Sequence, residues 1–157
     1  MVEASIIKLQ PHNVRKIPQH RCTFPLIKFY TFLGHDHSGR AVILNKSSRL
    51  LVDKIDSIDD YCHYMMYYLE VYIPRKLRGF ASEYIVLADV HNLCSDNFKL
   101  AITKRNIHEG THYCPERQNK MVVFNVGPWG SSLWKLFKFL IPKRTIGKIN
   151  LLSEDKS

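Results

Sequence analysis

Two uncharged, apolar-rich runs constrain this chain more than any other feature: Tyr84-Ile85-Val86-Leu87-Ala88, closed by Asp89, and Met121–Val126, in which Asn125 alone is polar. A strand that is wet on one side alternates apolar with polar residues, whereas a strand covered on both faces of a parallel sheet reads as a continuous apolar segment. Between the runs, Ser95 and Asp96 can open a helix carrying Phe98, Ala101 and Ile102, with Gly110 as its C-terminal stop. Strand, helix and strand in that order form a crossover, which parallel pairing requires.

The remaining segments extend the same pattern. Leu26–Leu33 and Arg40–Leu44 read as strands around the turn-forming His35-Asp36-His37-Ser38-Gly39. Ser57 is a helix N-cap with acids in the first turn, and Ile58, Cys62, Met65, Leu69 and Ile73 follow at helical spacing until Pro74 stops the helix. A last helix, Ser131–Ile141, lies between Gly130 and Pro142; Leu133, Phe137, Leu140 and Ile141 form its apolar stripe, with Leu136 beside it. Lys148–Leu152 is a final short strand. The order β-β-α-β-α-β-α-β gives an α/β fold with a mostly parallel sheet and no internal repeat. Residues 1–25, with Pro11, Pro18 and Pro25, read as an irregular basic leader, residues 26–152 as the folded domain, and 153–157 as a tail.

A length of 157 residues with 45% apolar composition suits one globular domain. No apolar run approaches the roughly 20 residues of a membrane-spanning helix, and Met1–Val14 carries Glu3 and no sustained apolar stretch, which argues against a cleaved secretory signal. Cysteines at 22, 62, 94 and 114 contain no C-x-x-C pair, so neither a disulfide framework nor a thiolate zinc site is indicated, and a reducing, cytoplasmic setting fits. The net charge of +9 is distributed as +6 over residues 1–50, −3 over 51–100 and +6 over 101–157. Basic ends favour anionic partners: nucleic acid, phosphoinositide headgroups or an acidic membrane surface.

Among short motifs, His108-Glu109-Gly110-Thr111-His112 matches the H-E-x-x-H pattern, in which two histidines one helical turn apart bind zinc and the glutamate activates its water. Gly110 weakens the helix inside the motif, Pro115 follows closely, and the segment after His112 supplies no histidine as third ligand. A zinc-dependent hydrolase is therefore the alternative function, and no metal or cofactor site is the expectation. His35-Asp36-His37 reads as a polar turn, and Asp89 either contacts a ligand at a strand end or caps the following turn. Phosphate-binding glycine loops and nucleophile elbows are absent from the sequence.

The C-terminal third interleaves Lys120, Lys135, Lys138, Lys143, Arg144 and Lys148 with Trp129, Trp134, Phe137 and Phe139. Aromatics beside cations suit single-stranded nucleic acid or a lipid surface. Here the aromatics fall mainly on one helix stripe, while Phe139 shares the lysine side, which favours lipid over nucleic acid; the plain alternative is a core stripe beneath a solvated lysine face.

Taken in order, Tyr113-Cys114-Pro115-Glu116-Arg117, Lys120–Asn125, Trp134-Lys135-Leu136-Phe137-Lys138 and Thr145-Ile146-Gly147-Lys148-Ile149 resemble the Sec14-like (CRAL-TRIO) lipid-binding domain. Ser38–Ile43 is similar to that family's G-R-P-V strand entry, and Tyr84–Asp89 to its central strand. Cys114, Asn119 and Val126-Gly127-Pro128 depart from the family pattern, and its N-terminal helical subdomain has no counterpart in this sequence, as in a truncated or divergent member.

The resemblance implies helices packed around an apolar lipid cavity floored by the sheet, with Ser131–Ile141 as a movable gate. It implies a headgroup site at Glu116, Thr145 and Lys148, and a cavity and gate built from Tyr84, Val86, Phe124, Leu133, Trp134, Phe137, Leu140 and Ile141. Lys135, Lys138, Phe139, Lys143 and Arg144 would face the membrane. The function so implied is non-enzymatic binding and transfer of a phospholipid such as phosphatidylinositol, by a cytoplasmic protein in transient contact with anionic membranes.

Overall fold

A computed structural model describes residues 29–55, 57–113 and 117–153. Tyr30–His35 (β1) and Ala41–Lys46 (β2) form an antiparallel hairpin. Asp36 builds its turn: Oδ1 accepts the Ser38 and Arg40 N–H groups at 2.9 Å, and Oδ2 accepts from Arg40 Nε at 2.7 Å. Gly39 is obligatory there, because φ is +79° and a Cβ would stand 2.6 Å from the Arg78 carbonyl oxygen. The His-Asp-His segment is thus a structural turn, and His35 Nε2 bonds the Lys76 carbonyl.

Helix α1 (Ile58–Tyr67) starts where Ser57 accepts the Tyr61 N–H at 3.1 Å, and it widens into a π-turn over Tyr68–Tyr72 before Pro74 ends it. Then follow β3 (Tyr84–Asp89), α2 (Leu100–Tyr113), β4 (Gln118–Val126), α3 (Pro128–Phe137), the short α4 (Lys143–Ile146) and β5 (Ile149–Ser153). The five strands lie in sequence order, and every pairing after β1–β2 is parallel. Sequential parallel strands joined by right-handed crossovers carry their helices on one face of the sheet.

That face holds the core. Ala41 and Ile43 from β2 and Tyr84, Val86 and Ala88 from β3 pack under Tyr68 and Ile73, and a second cluster joins Phe29, Leu50 and Val52 to Tyr61, Cys62 and Met65 of α1 and Ile102 of α2. On the other face Val42, Leu44, Ile85, Leu87, Val122 and Phe124 lie in register and are half-buried, while Thr31, Lys120 and Asn150 beside them are exposed. The apolar-rich runs therefore do not mean equal burial on both sides. In β3 buried and half-buried residues alternate, and no residue of β4 is fully buried.

Four helix boundaries differ from the sequence pattern. Ser95–Asn97 forms only a 3-10 turn, because the Asn97 side chain accepts the Cys94 N–H at 3.1 Å and donates to the Ser48 and Leu50 carbonyls at 3.0 and 2.9 Å. These bonds tie the turn to the segment after β2, and the helix begins afterwards at Leu100. Gly110 does not stop α2, which continues to Tyr113; a terminating glycine takes positive φ, and among the described glycines only Gly34, Gly39 and Gly79 do. Finally, α3 opens early with Pro128 in its first turn and ends at Phe137, after which Lys138–Leu140 tightens to 3-10.

Candidate functional site

On the helix-bearing face of the sheet lies a cavity of about 400 Å³. Tyr84, Met121 and Ile149 form its floor, Met65, Met66 and Leu69 its α1 wall, and Asn106, Ile107, Glu109 and Gly110 its α2 wall. Ile141, Pro142, Arg144, Thr145 and Lys148 complete it beside β5. The volume lies near the lower end of the roughly 300–1,000 Å³ of small-molecule sites, and two adjacent methionines give an adaptable apolar wall.

The polar end is built locally. Pro142 starts α4, whose turn returns the Lys148 N–H to the Thr145 carbonyl at 3.0 Å, and the Lys148 carbonyl accepts from the Met121 N–H at 2.9 Å. Thr145 and Lys148, three residues apart, thereby face one cavity, and Lys148 Nζ donates to the Gln118 carbonyl at 2.9 Å. Arg144, expected on the membrane side, is exposed and also contributes to the lining. Glu116 lies outside the described residues. Its neighbour Arg117 reaches back to Glu70 of the π-turn, with 3.5 Å between Nη2 and Oε2, and its carbonyl accepts from the Tyr84 N–H at 2.8 Å.

The expected gate residues divide. Tyr84 and Ile141 line the cavity, while Val86 belongs to the packed core beneath the π-turn. Phe124 does not share their face: the register sets it beside Asp89, opposite the side that carries Tyr84 and Val86. Phe137 is buried, and together with Trp129 it seats α3 on Phe98, with ring centroids 5.3 and 5.8 Å apart; Leu133 and Trp134 are half-buried. Leu140 is exposed instead of inside, because the 3-10 turn advances about 120° per residue and rotates it off the helical stripe. Leu136 and Phe139 are 61% and 79% exposed, beside exposed Lys135, Lys138 and Lys143. Lys138 Nζ sits 5.3 Å from the Phe139 ring centroid.

Asp89 serves as a cap: its Oδ1 accepts the His91 N–H at 3.1 Å and Asn125 Nδ2 at 3.0 Å. In the H-E-x-x-H stretch, His108 is exposed, the His112 side chain lies outside the described residues, and Glu109 is buried with Oε1 on Arg105 Nε. That guanidinium holds one oxygen of the glutamate which a metal-bound water would need. Among the described residues no three histidine, cysteine or carboxylate side chains gather as a metal site.

Sequence reasoning missed the whole helical wall. Met65 and Leu69 are visible in the sequence as a helix stripe, and stripes of that kind are ordinarily core. Asn106 gives no signal except its i, i+3 spacing to Glu109 on one helix face, and Glu109 stands out only within the H-E-x-x-H stretch, as part of a zinc site.

Comparison with known proteins agrees with this architecture. The crystal structure of Sfh5 superposes with a TM-score of 0.63 at 16% sequence identity, over 81% of this chain and 49% of that one, so the chain spans about half of its length and shares its fold. No curated protein matches the sequence. The CRAL/TRIO domain family model matches residues 27–157, which include every described residue, and the chain belongs to that family of lipid-binding domains.

Proposed function

We propose that this chain binds a phospholipid, with phosphatidylinositol as the favoured headgroup, and carries it between membranes without chemistry on it. One observation carries the reading: an apolar cavity of about 400 Å³ with Thr145, Lys148 and Arg144 gathered at one end. A lysine and a threonine hydroxyl suit a phosphate, and Glu116 would orient the lysine or accept from inositol hydroxyls. Exposing an acyl chain to water costs roughly 0.8 kcal/mol per methylene, so shielding it lowers the barrier between bilayers. Helix α3 is the gate: its inner side rests on Phe98, and the segment after it offers Phe139 to the bilayer beside lysines that attract anionic headgroups. The working unit is residues 26–152, acting at cytoplasmic membrane surfaces.

Lys148→Ala tests the headgroup assignment. Charge-assisted hydrogen bonds contribute about 1.5–3 kcal/mol, so phosphatidylinositol binding should weaken roughly tenfold or more while phosphatidylcholine binding changes little. Equal loss of both lipids in a competition assay refutes the assignment.

A further inference from the structure

Glycine inside a helix costs about 1 kcal/mol relative to alanine, yet Gly110 sits within α2, and a Cβ added there would meet nothing within 4 Å. The space beside it is open. Next to it in sequence, Glu109 is only 5% exposed. One carboxylate oxygen takes Arg105 Nε at 2.5 Å, whereas Oε2 is buried without a hydrogen-bond partner. Both residues line the cavity, as does Asn106 one turn earlier, which donates to the Tyr61 hydroxyl at 3.0 Å. A buried carboxylate oxygen lacking a donor is costly and rare, and it marks a position where a donor belongs. Arg105 already balances the charge of Glu109, so a neutral donor suits the site better than an ammonium, which would stand beside a guanidinium. The lining beside it is otherwise apolar, with Met65, Leu69 and Ile107, and includes the Cys62 thiol, which is already engaged with Arg105.

We propose that this corner of the cavity binds an aliphatic hydroxyl of the ligand, seated over Gly110 and donating its hydrogen bond to Glu109 Oε2. The proposal rests on reading the cavity as a lipid site and adds the chemistry its ligand must carry. It also gives a role to the glutamate of the H-E-x-x-H stretch.

The test is calorimetric titration of the full chain with 1-decanol and with 1-methoxydecane, which has the oxygen without the donor. The alcohol should bind about tenfold more tightly, as expected for a hydrogen bond to a charged acceptor, and Glu109→Leu should abolish the difference. Gly110→Leu should block both probes while keeping or raising the melting temperature, since leucine is the better helix former. Equal binding of alcohol and ether, or a preference that survives Glu109→Leu, overturns the proposal. Titration with short-chain phosphatidylinositol and phosphatidylcholine separates the sources of the hydroxyl: loss of the inositol preference in Glu109→Leu places it on the inositol ring, and retention excludes the ring and assigns the corner to a ligand that carries its hydroxyl elsewhere, since diacyl phospholipids have none on their body. If neither decyl probe binds and phosphatidylinositol does, this inference fails and the lipid reading stands; if nothing binds, both fail.

Discussion

Replacing Asn97 by alanine should unfold this domain far more readily than an ordinary polar-to-alanine change in a turn. Asn97 is 8% exposed and makes three bonds to backbone: it accepts from the Cys94 N–H and donates to the carbonyls of Ser48 and Leu50. Alanine removes all three and leaves the backbone partners without their mate. At about 1 kcal/mol per bond, with more for groups left buried and unpaired, the loss is roughly 2–4 kcal/mol. For a chain of this size each kcal/mol lowers the midpoint by about 2–4 °C, so thermal unfolding should shift by roughly 5–15 °C. Urea denaturation gives the free energy directly, and the slope should be unchanged if only stability is affected. Asn97→Asp is the control: the carboxylate can still accept from Cys94 but donates to neither carbonyl, so it should recover at most the smallest share. A loss below about 1 kcal/mol in Asn97→Ala, or full stability in Asn97→Asp, would refute the clamp as the reason that α2 begins at Leu100.

Two further outcomes follow from the same structure. Burial pushes the Cys62 thiol up to about 11 and the Tyr61 hydroxyl up to about 12. Both values lie above those of the unfolded chain, so the folded state holds these protons longer; the stability this gives is complete below about pH 8.5 and is lost as pH rises through the folded values. The melting temperature should therefore fall from pH 9 towards pH 11, less steeply in Cys62→Ala, and a flat profile contradicts the burial of these groups. On the surface, Leu136→Asp with Phe139→Asp should leave urea stability within about 0.5 kcal/mol and abolish sedimentation with vesicles containing phosphatidylserine, whereas undiminished sedimentation refutes the membrane face.

How much was legible in the sequence depends on whether local chemistry or tertiary contact decided the outcome. The strands β3 and β4, the helix between them and the parallel order follow from the two apolar-rich runs and the helical spacing that separates them, and the structure bears out that α/β reading and the family resemblance. The helix ends do not follow, because Asn97 is captured by carbonyls far away in sequence and Gly110 keeps helical φ. Thr145 and Lys148 were expected as a pair only through the family resemblance; the turn and strand start that bring both to one cavity are visible in the structure. Phe124 was misplaced because an apolar run hides which residues share a face, and the parity is set only by the register with β3. Glu109 was invisible as a cavity residue because its meaning depends on Arg105 and on the empty space beside Gly110, neither of which a spacing pattern encodes.

The central claim is that the cavity holds a lipid, and a native mass spectrum of the protein after incubation with mixed-phospholipid vesicles tests it most directly. The account predicts one phospholipid per chain, enriched in phosphatidylinositol over its share of the vesicles, and a mass without any lipid adduct would contradict it.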